Sequence, residues 1–175
     1  MIHPIVINFF KEHNLYNEEM FEYLSKNTIH YDYRVVEDRI FTGCGPCVDK
    51  KNGILTKVFV TVPFVIDDIT MLINIHEYTH AIEYYSKIGK KFKKDEYVEV
   101  LPMMFELIYI REHYSKELLD YENFLNNCIS RNNIEYIIGT KMQTKLADTY
   151  NYENLTQLKR KVKKIGRKIK WLLST

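Results

Sequence analysis

The hydrophobic period of this chain changes at Pro63, and that change limits the possible folds more than any other feature. From Ile29 to Val62 the pattern is that of strands: "IHYDYRVV" alternates, "RIFTG" is short, and "ILTKVFVTV" follows Asn52-Gly53. Alternation marks half-buried strands, and Asn-Gly ahead of such a run marks a hairpin turn. After Pro63 the spacing becomes helical. Asp67 or Asp68 can cap a helix that runs to about Ile88, where Gly89 stops it. The expectation is an α+β fold, mainly helical, with a small antiparallel sheet preceding one long helix.

Further helices fit around that centre. Residues 17–26 read as a helix capped by Asn17, with acids in the first turn. A second long helix is expected from about Val98 to Asn127, where Pro102 is tolerable because it falls in the first turn. Residues 133–150 look helical again, and 158–175 form the last helix. No internal repeat and no Ser/Gly-rich linker interrupts the chain, so a single domain over 1–175 is expected.

Composition excludes several classes. A chain of 175 residues with 46% hydrophobic residues can bury a core without covalent staples. No stretch approaches the roughly 18 apolar residues that a membrane span needs. The segment "MIHPIVINFFKEHN" shows neither a basic leader nor a small-residue cleavage site. Three cysteines do not make a disulfide framework, so a reducing, cytoplasmic setting is expected.

The net charge of +2 hides an asymmetry. Residues 158–175 carry eight basic residues and no acid, which leaves −6 for residues 1–157. Within the tail, Leu158, Val162, Ile165, Ile169 and Leu172 recur at helical spacing. Such a helix can pack its apolar stripe on the body, or attach to a protein partner or an anionic surface. A peptide or protein is expected as partner, in preference to nucleic acid.

The long helix carries the chemistry. "INIHEYTHAIEYY" sets His76 and His80 four apart with Glu77 directly after the first. Met71, Ile75, Tyr78, Ile82 and Tyr85 share one face; Ile69, Ile73, His76, His80 and Glu83 share roughly the opposite one. Two histidines at this spacing rise about 6 Å along a helix and point the same way, so both imidazoles can reach one ion. Glu77 is turned about 100° from His76, too far round to be a ligand but placed to act on water as general base. One Zn²⁺ ion is the expected cofactor, because catalytic zinc takes three protein ligands and leaves a position open.

A third ligand is then required. "DEYVEVLPMMFELIYI" contains Glu96, Glu99 and Glu106 in an otherwise apolar stretch, where an acid is costly to bury unless it coordinates or pairs. Glu99 lies at a helix start, 19 residues after His80, a distance that a loop and one helical reversal cover. It is the expected ligand. Glu106, seven further on and on the same face, can support a site group from behind.

The run from "TGCGPCVDKKNGILTKVFVTVPFVIDDITMLINIHEYTHAIEYY" through "DEYVEVLPMMFE" resembles the thimet oligopeptidase and oligoendopeptidase family of zinc metallopeptidases. The resemblance covers about residues 42–110. It implies a minimal zincin-like core of the gluzincin kind, with His76, His80 and Glu99 as metal ligands and Glu77 as base. It also implies an oxyanion-stabilising tyrosine, and "NNIEYIIGTKMQ" makes Tyr136 the best match. Departures are visible. Thr79 stands where that family usually has glycine, "EVLP" is one residue longer than "EVP", and family members are several times longer. The histidine that precedes their tyrosine segment is absent.

Cys44-Gly45-Pro46-Cys47 spells the thioredoxin tetrapeptide, but a turn and a strand follow it where thioredoxins have a helix that lowers the thiol pKa. A tight loop is expected there. "TKVFVTV" is the strand expected to take an extended peptide by strand addition. His3, His13, His30 and His113 read as loop or surface residues. The function expected is peptide hydrolysis. The alternative is a zinc-stabilised binding module without turnover, its basic tail engaging nucleic acid or an anionic membrane.

Overall fold

A computed structural model describes residues 1–32, 42–93, 97–113, 142, 146–148, 157 and 160–164. The chain divides into two compact units, Met1–Lys94 and Asp95–Thr175.

In the first unit, helix α1 spans Pro4–Glu12 and buries Val6, Phe9 and Phe10. It starts where Pro4 supplies a preset φ and His3 Nδ1 accepts from the Ile5 amide at 3.3 Å. The sequence pattern did not single out this helix. Helix α2, Glu18–Lys26, begins at Asn17, whose Oδ1 accepts from the Met20 amide at 2.9 Å, and buries Met20, Phe21 and Leu24.

Three strands follow: β1 (Thr28–Tyr31), β2 (Gly43–Val48) and β3 (Leu55–Pro63). Their order in the sheet is β1-β3-β2. β2 and β3 form the antiparallel hairpin, closed by Gly53 at φ +71°. β1, however, pairs with β3 in parallel. The sheet is therefore mixed, not antiparallel throughout. Period-two alternation fixes which face a side chain takes but carries no strand direction.

Two further expectations change. Cys44-Gly45-Pro46-Cys47 is not a loop but the body of β2. Pro46 is tolerated because, among the described residues, β2 lies at the sheet edge, and the space left by Gly45 is covered by the Phe59 ring across the strand pair. β3, expected to accept a peptide, is central, with both edges already paired.

Helix α3 spans Asp68–Tyr85. Asp67 caps it through a reciprocal box: Asp67 Oδ1 accepts from the Thr70 amide at 2.8 Å, and Thr70 Oγ1 accepts from the Asp67 amide at 3.0 Å. It packs against β3 and β2, and both α1 and α2 touch it. Val58, Val60 and Val62 of β3 and Ile75, Tyr78 and Ala81 of α3 are all fully buried. Tyr78 ties the layers together. Its hydroxyl donates to Thr28 Oγ1 at 3.1 Å, and Thr28 in turn donates to the Leu24 carbonyl at 2.7 Å.

In the second unit, helix α4 spans Val100–His113, and every residue from Val98 to Ile110 is buried. A helix apolar all round, as this one nearly is, belongs inside. Pro102 falls in its first turn, where no helical partner for an amide is lost. Residues 142, 146–148, 157 and 160–164 are also helical, and Arg111 pairs with Asp148 at 2.7 Å. In the basic tail Val162 is buried while Arg160, Lys163 and Lys164 are exposed. Among the described residues no helix is long and apolar enough to cross a membrane.

Candidate metal centre

The site is built on the second half of α3. Only residues 64–66 separate β3 from the Asp67 cap, so the helix is anchored at both its start and its buried face before it reaches the histidines. Thr79, where a glycine would leave a gap, returns its hydroxyl to the Ile75 carbonyl at 2.8 Å and is buried. His76 is half-buried and His80 is buried. Their Nε2 atoms converge to 3.1 Å, with the two rings nearly perpendicular at 73°.

Glu99 immediately precedes α4, and its carbonyl accepts from the Met103 amide at 3.1 Å. Its side chain is buried. One ligand atom from each of His76, His80 and Glu99 lies within 4.8 Å of the other two. The structure thus groups three side chains so that one metal ion could contact all of them. The donor set suits that role. Two imidazole nitrogens bound at about 2.0–2.1 Å to a tetrahedral ion stand about 3.3 Å apart, close to the separation seen.

The surroundings of the histidines are specific. The ring of Tyr84 lies parallel to that of His80, with centroids 6.2 Å apart and 13° between planes. Phe92 meets Tyr84 edge-on at 5.8 Å. Glu77 is half-buried next to His76 in the chain. Cys44 of β2 senses both Glu77 and Glu83. Burial first, then these two carboxylates, push its thiol well above the ordinary range, so it stays protonated.

Several sequence expectations meet a definite position. Glu106 is buried on α4, one residue among the apolar positions that enclose it. Glu83, also buried, lies on α3 three residues past His80. Ile69 is 70% exposed, on the histidine face but away from the core. Glu96 and Tyr136 lie outside the described residues. His13 is not a surface residue: it caps α1, is 1% exposed and packs on Phe9 with centroids 4.4 Å apart. His30 sits in β1 stacked on Phe64, and burial lowers its pKa. His113 contacts the Tyr109 carbonyl at 2.9 Å in the last turn of α4.

Two features of this site went unread in the sequence. Tyr84 follows His80 by four residues, the spacing at which helical neighbours meet, and that signal was available. Cys44 gave no such signal, because its approach to Glu77 depends on the pairing of β2 with β3.

Compared with protein-family models, with curated proteins and with solved structures, the chain matches none of them.

Proposed function

We propose that the chain is a zinc-dependent peptide hydrolase with a zincin-like catalytic core. The observation that carries this reading is the grouping of His76, His80 and Glu99 with Glu77 next in sequence to the first histidine. Zinc is the ion proposed because two imidazoles and one carboxylate form a borderline donor set that suits it. When bound, it would supply a Lewis acid that lowers the pKa of water towards about 7 and polarises a carbonyl.

The remaining roles belong to the chain. Glu77 accepts a proton from the attacking water and delivers it to the leaving amine nitrogen. A half-buried, protonated Cys44 adds no negative charge beside Glu77. That leaves the carboxylate's basicity to be set by its other neighbours. Tyr136 is proposed to donate to the developing oxyanion. With β3 enclosed, an extended peptide adds to the sheet at β2, the edge strand whose Cys44 lies within electrostatic range of Glu77.

Glu77 also separates this reading from its rival, a zinc-stabilised binding module that works through the basic tail. The exposed Arg160, Lys163 and Lys164 favour some role for that tail at a surface. A structural zinc site has no use for Glu77, whereas hydrolysis depends on it. The test measures metal content of the purified protein together with cleavage of a mixed peptide library. Stoichiometric zinc with no cleavage of any peptide would favour the binding module.

A further inference from the structure

Two lysine-rich stretches distant in sequence are stitched into one surface at an end of the sheet. One is the β2–β3 hairpin with Lys50 and Lys51; the other follows α3 with Lys87, Lys90, Lys91 and Lys93. Backbone bonds join them. The Leu55 amide donates to the Lys90 carbonyl at 3.0 Å, and the Gly89 amide donates to the Leu55 carbonyl at 2.8 Å. The Phe92 amide donates to the Gly53 carbonyl at 2.8 Å, and Ile54 and Lys91 form an antiparallel bridge. Lys87 is half-buried and the other five lysines are exposed.

The bonds that join the two stretches are backbone bonds and use no lysine side chain, although the Lys90 ammonium donates to the Ser86 carbonyl at 2.8 Å within its own stretch. Neutral side chains would serve the backbone bonds equally well, and six like charges gathered here repel one another. The one acid within residues 49–57 and 86–93 is Asp49, whose Oδ1 accepts from the Lys51 amide at 2.8 Å. Residues 1–157 as a whole carry −6, so the concentration runs against the balance around it.

The lysine surface is continuous with the metal centre. The Lys87 ammonium lies 5.5 Å from the centre of the Tyr84 ring, and that ring stacks on His80 at 6.2 Å. Lys87 is therefore within about 12 Å of the His80 ring. Extended chain covers that in roughly three to four residues at about 3.3 Å each. A peptide lying over His76 and His80 would reach the lysines without leaving this unit.

We propose that this surface selects acidic peptide segments, so that preferred substrates carry Asp or Glu three or more residues from the scissile bond. The proposal rests on the peptide-hydrolase reading and names its substrate class. Acidic peptide fits better than nucleic acid or lipid. The patch contains no arginine to fork onto phosphate, and its ring, Phe92, is engaged edge-on with Tyr84 instead of lying open for a base. Its isoleucines, Ile54 and Ile88, are half-buried and so present no wedge for a bilayer.

The test measures binding and cleavage separately. Fluorescent decapeptides with four glutamates, or with four glutamines at the same positions, are titrated against full-length protein carrying Glu77→Gln. The acidic peptide should bind about tenfold more tightly at low salt, with the advantage shrinking as salt rises. Combined Lys90→Gln, Lys91→Gln and Lys93→Gln should abolish the advantage while thermal unfolding stays as in the parent protein, and Arg at the same three positions should restore it. Equal binding of the two peptides, or an advantage that survives the Gln variant, overturns the proposal. So does patch-dependent binding of a single-stranded oligonucleotide or of phosphatidylserine vesicles in place of the acidic peptide. Selective binding by a protein that cleaves no peptide would retain the acidic-peptide surface and reject the hydrolase reading instead.

Discussion

Asn74 on α3 donates from Nδ2 to the Pro63 carbonyl at the end of β3, 2.9 Å away, and from the same nitrogen to the Thr70 carbonyl at 2.8 Å. Asn74 is fully buried. The bond clamps the helix to the strand two residues before His76, and so sets the rotational phase in which both histidines are presented. Asn74→Ala removes the donor and leaves the Pro63 carbonyl buried without it, which should cost about 1–3 kcal/mol of stability. Urea unfolding of the metal-free protein measures that cost. A variant as stable as the parent would show that the clamp is not holding the helix.

Ligand assignments are tested by metal content. His76→Ala, His80→Ala and Glu99→Ala should each leave the purified protein without stoichiometric zinc. Glu106 is buried seven residues along and is proposed as a supporting group, so Glu106→Gln should weaken retention by about 10- to 100-fold at most, as loss of an outer partner does. Competition with a chelator of known affinity ranks the four. If Glu106→Gln lost the metal and Glu99→Ala kept it, the third ligand would have been misassigned.

Glu77→Gln keeps the size and polarity of the side chain but cannot accept a proton at neutral pH. The variant should retain zinc and fold, and lose about 10²–10⁴-fold or more in kcat, the contribution usual for general-base catalysis. Single-turnover cleavage of a peptide chosen from the library reads it directly. Near-normal turnover would remove Glu77 from the chemistry.

The sequence made legible those features that depend on local chemistry. An aspartate at 67 or 68 marks a helix start by residue type alone, and the structure uses Asp67; Asn17 does the same for α2, and an acid at 99 amid apolar residues signals a buried use. What escaped depends on partners far away in the chain. The parallel pairing of β1 with β3 is invisible to alternation, and with it the central position of β3. The strand made by Gly43–Val48 contains two glycines and a proline, all poor strand formers, and exists because Phe59 and β3 support it. Helix α1 was missed for another reason. It has only nine residues and its N-cap is a histidine, although Val6, Phe9 and Phe10 show the helical spacing.

The last expectation concerns the Cys-Gly-Pro-Cys stretch, which the strand geometry converts from a redox motif into a probe of the site. Cys44 and Cys47 are three apart on one strand, so their side chains point to opposite faces and cannot approach as a disulfide requires. Cys44 is held protonated by burial, and the Glu77 and Glu83 carboxylates oppose its ionisation further. In a Cys47→Ser background, Cys44 should therefore react slowly with a thiol-disulfide reagent at pH 8, as read by mass spectrometry of the modified peptide. Glu77→Gln removes one of the two opposing charges and should speed that reaction, while a surface substitution such as Lys57→Gln, remote from the helix face, should change it little. Fast modification of Cys44 in the parent, or no response to Glu77→Gln, would show that the thiol does not sit beside the proposed base.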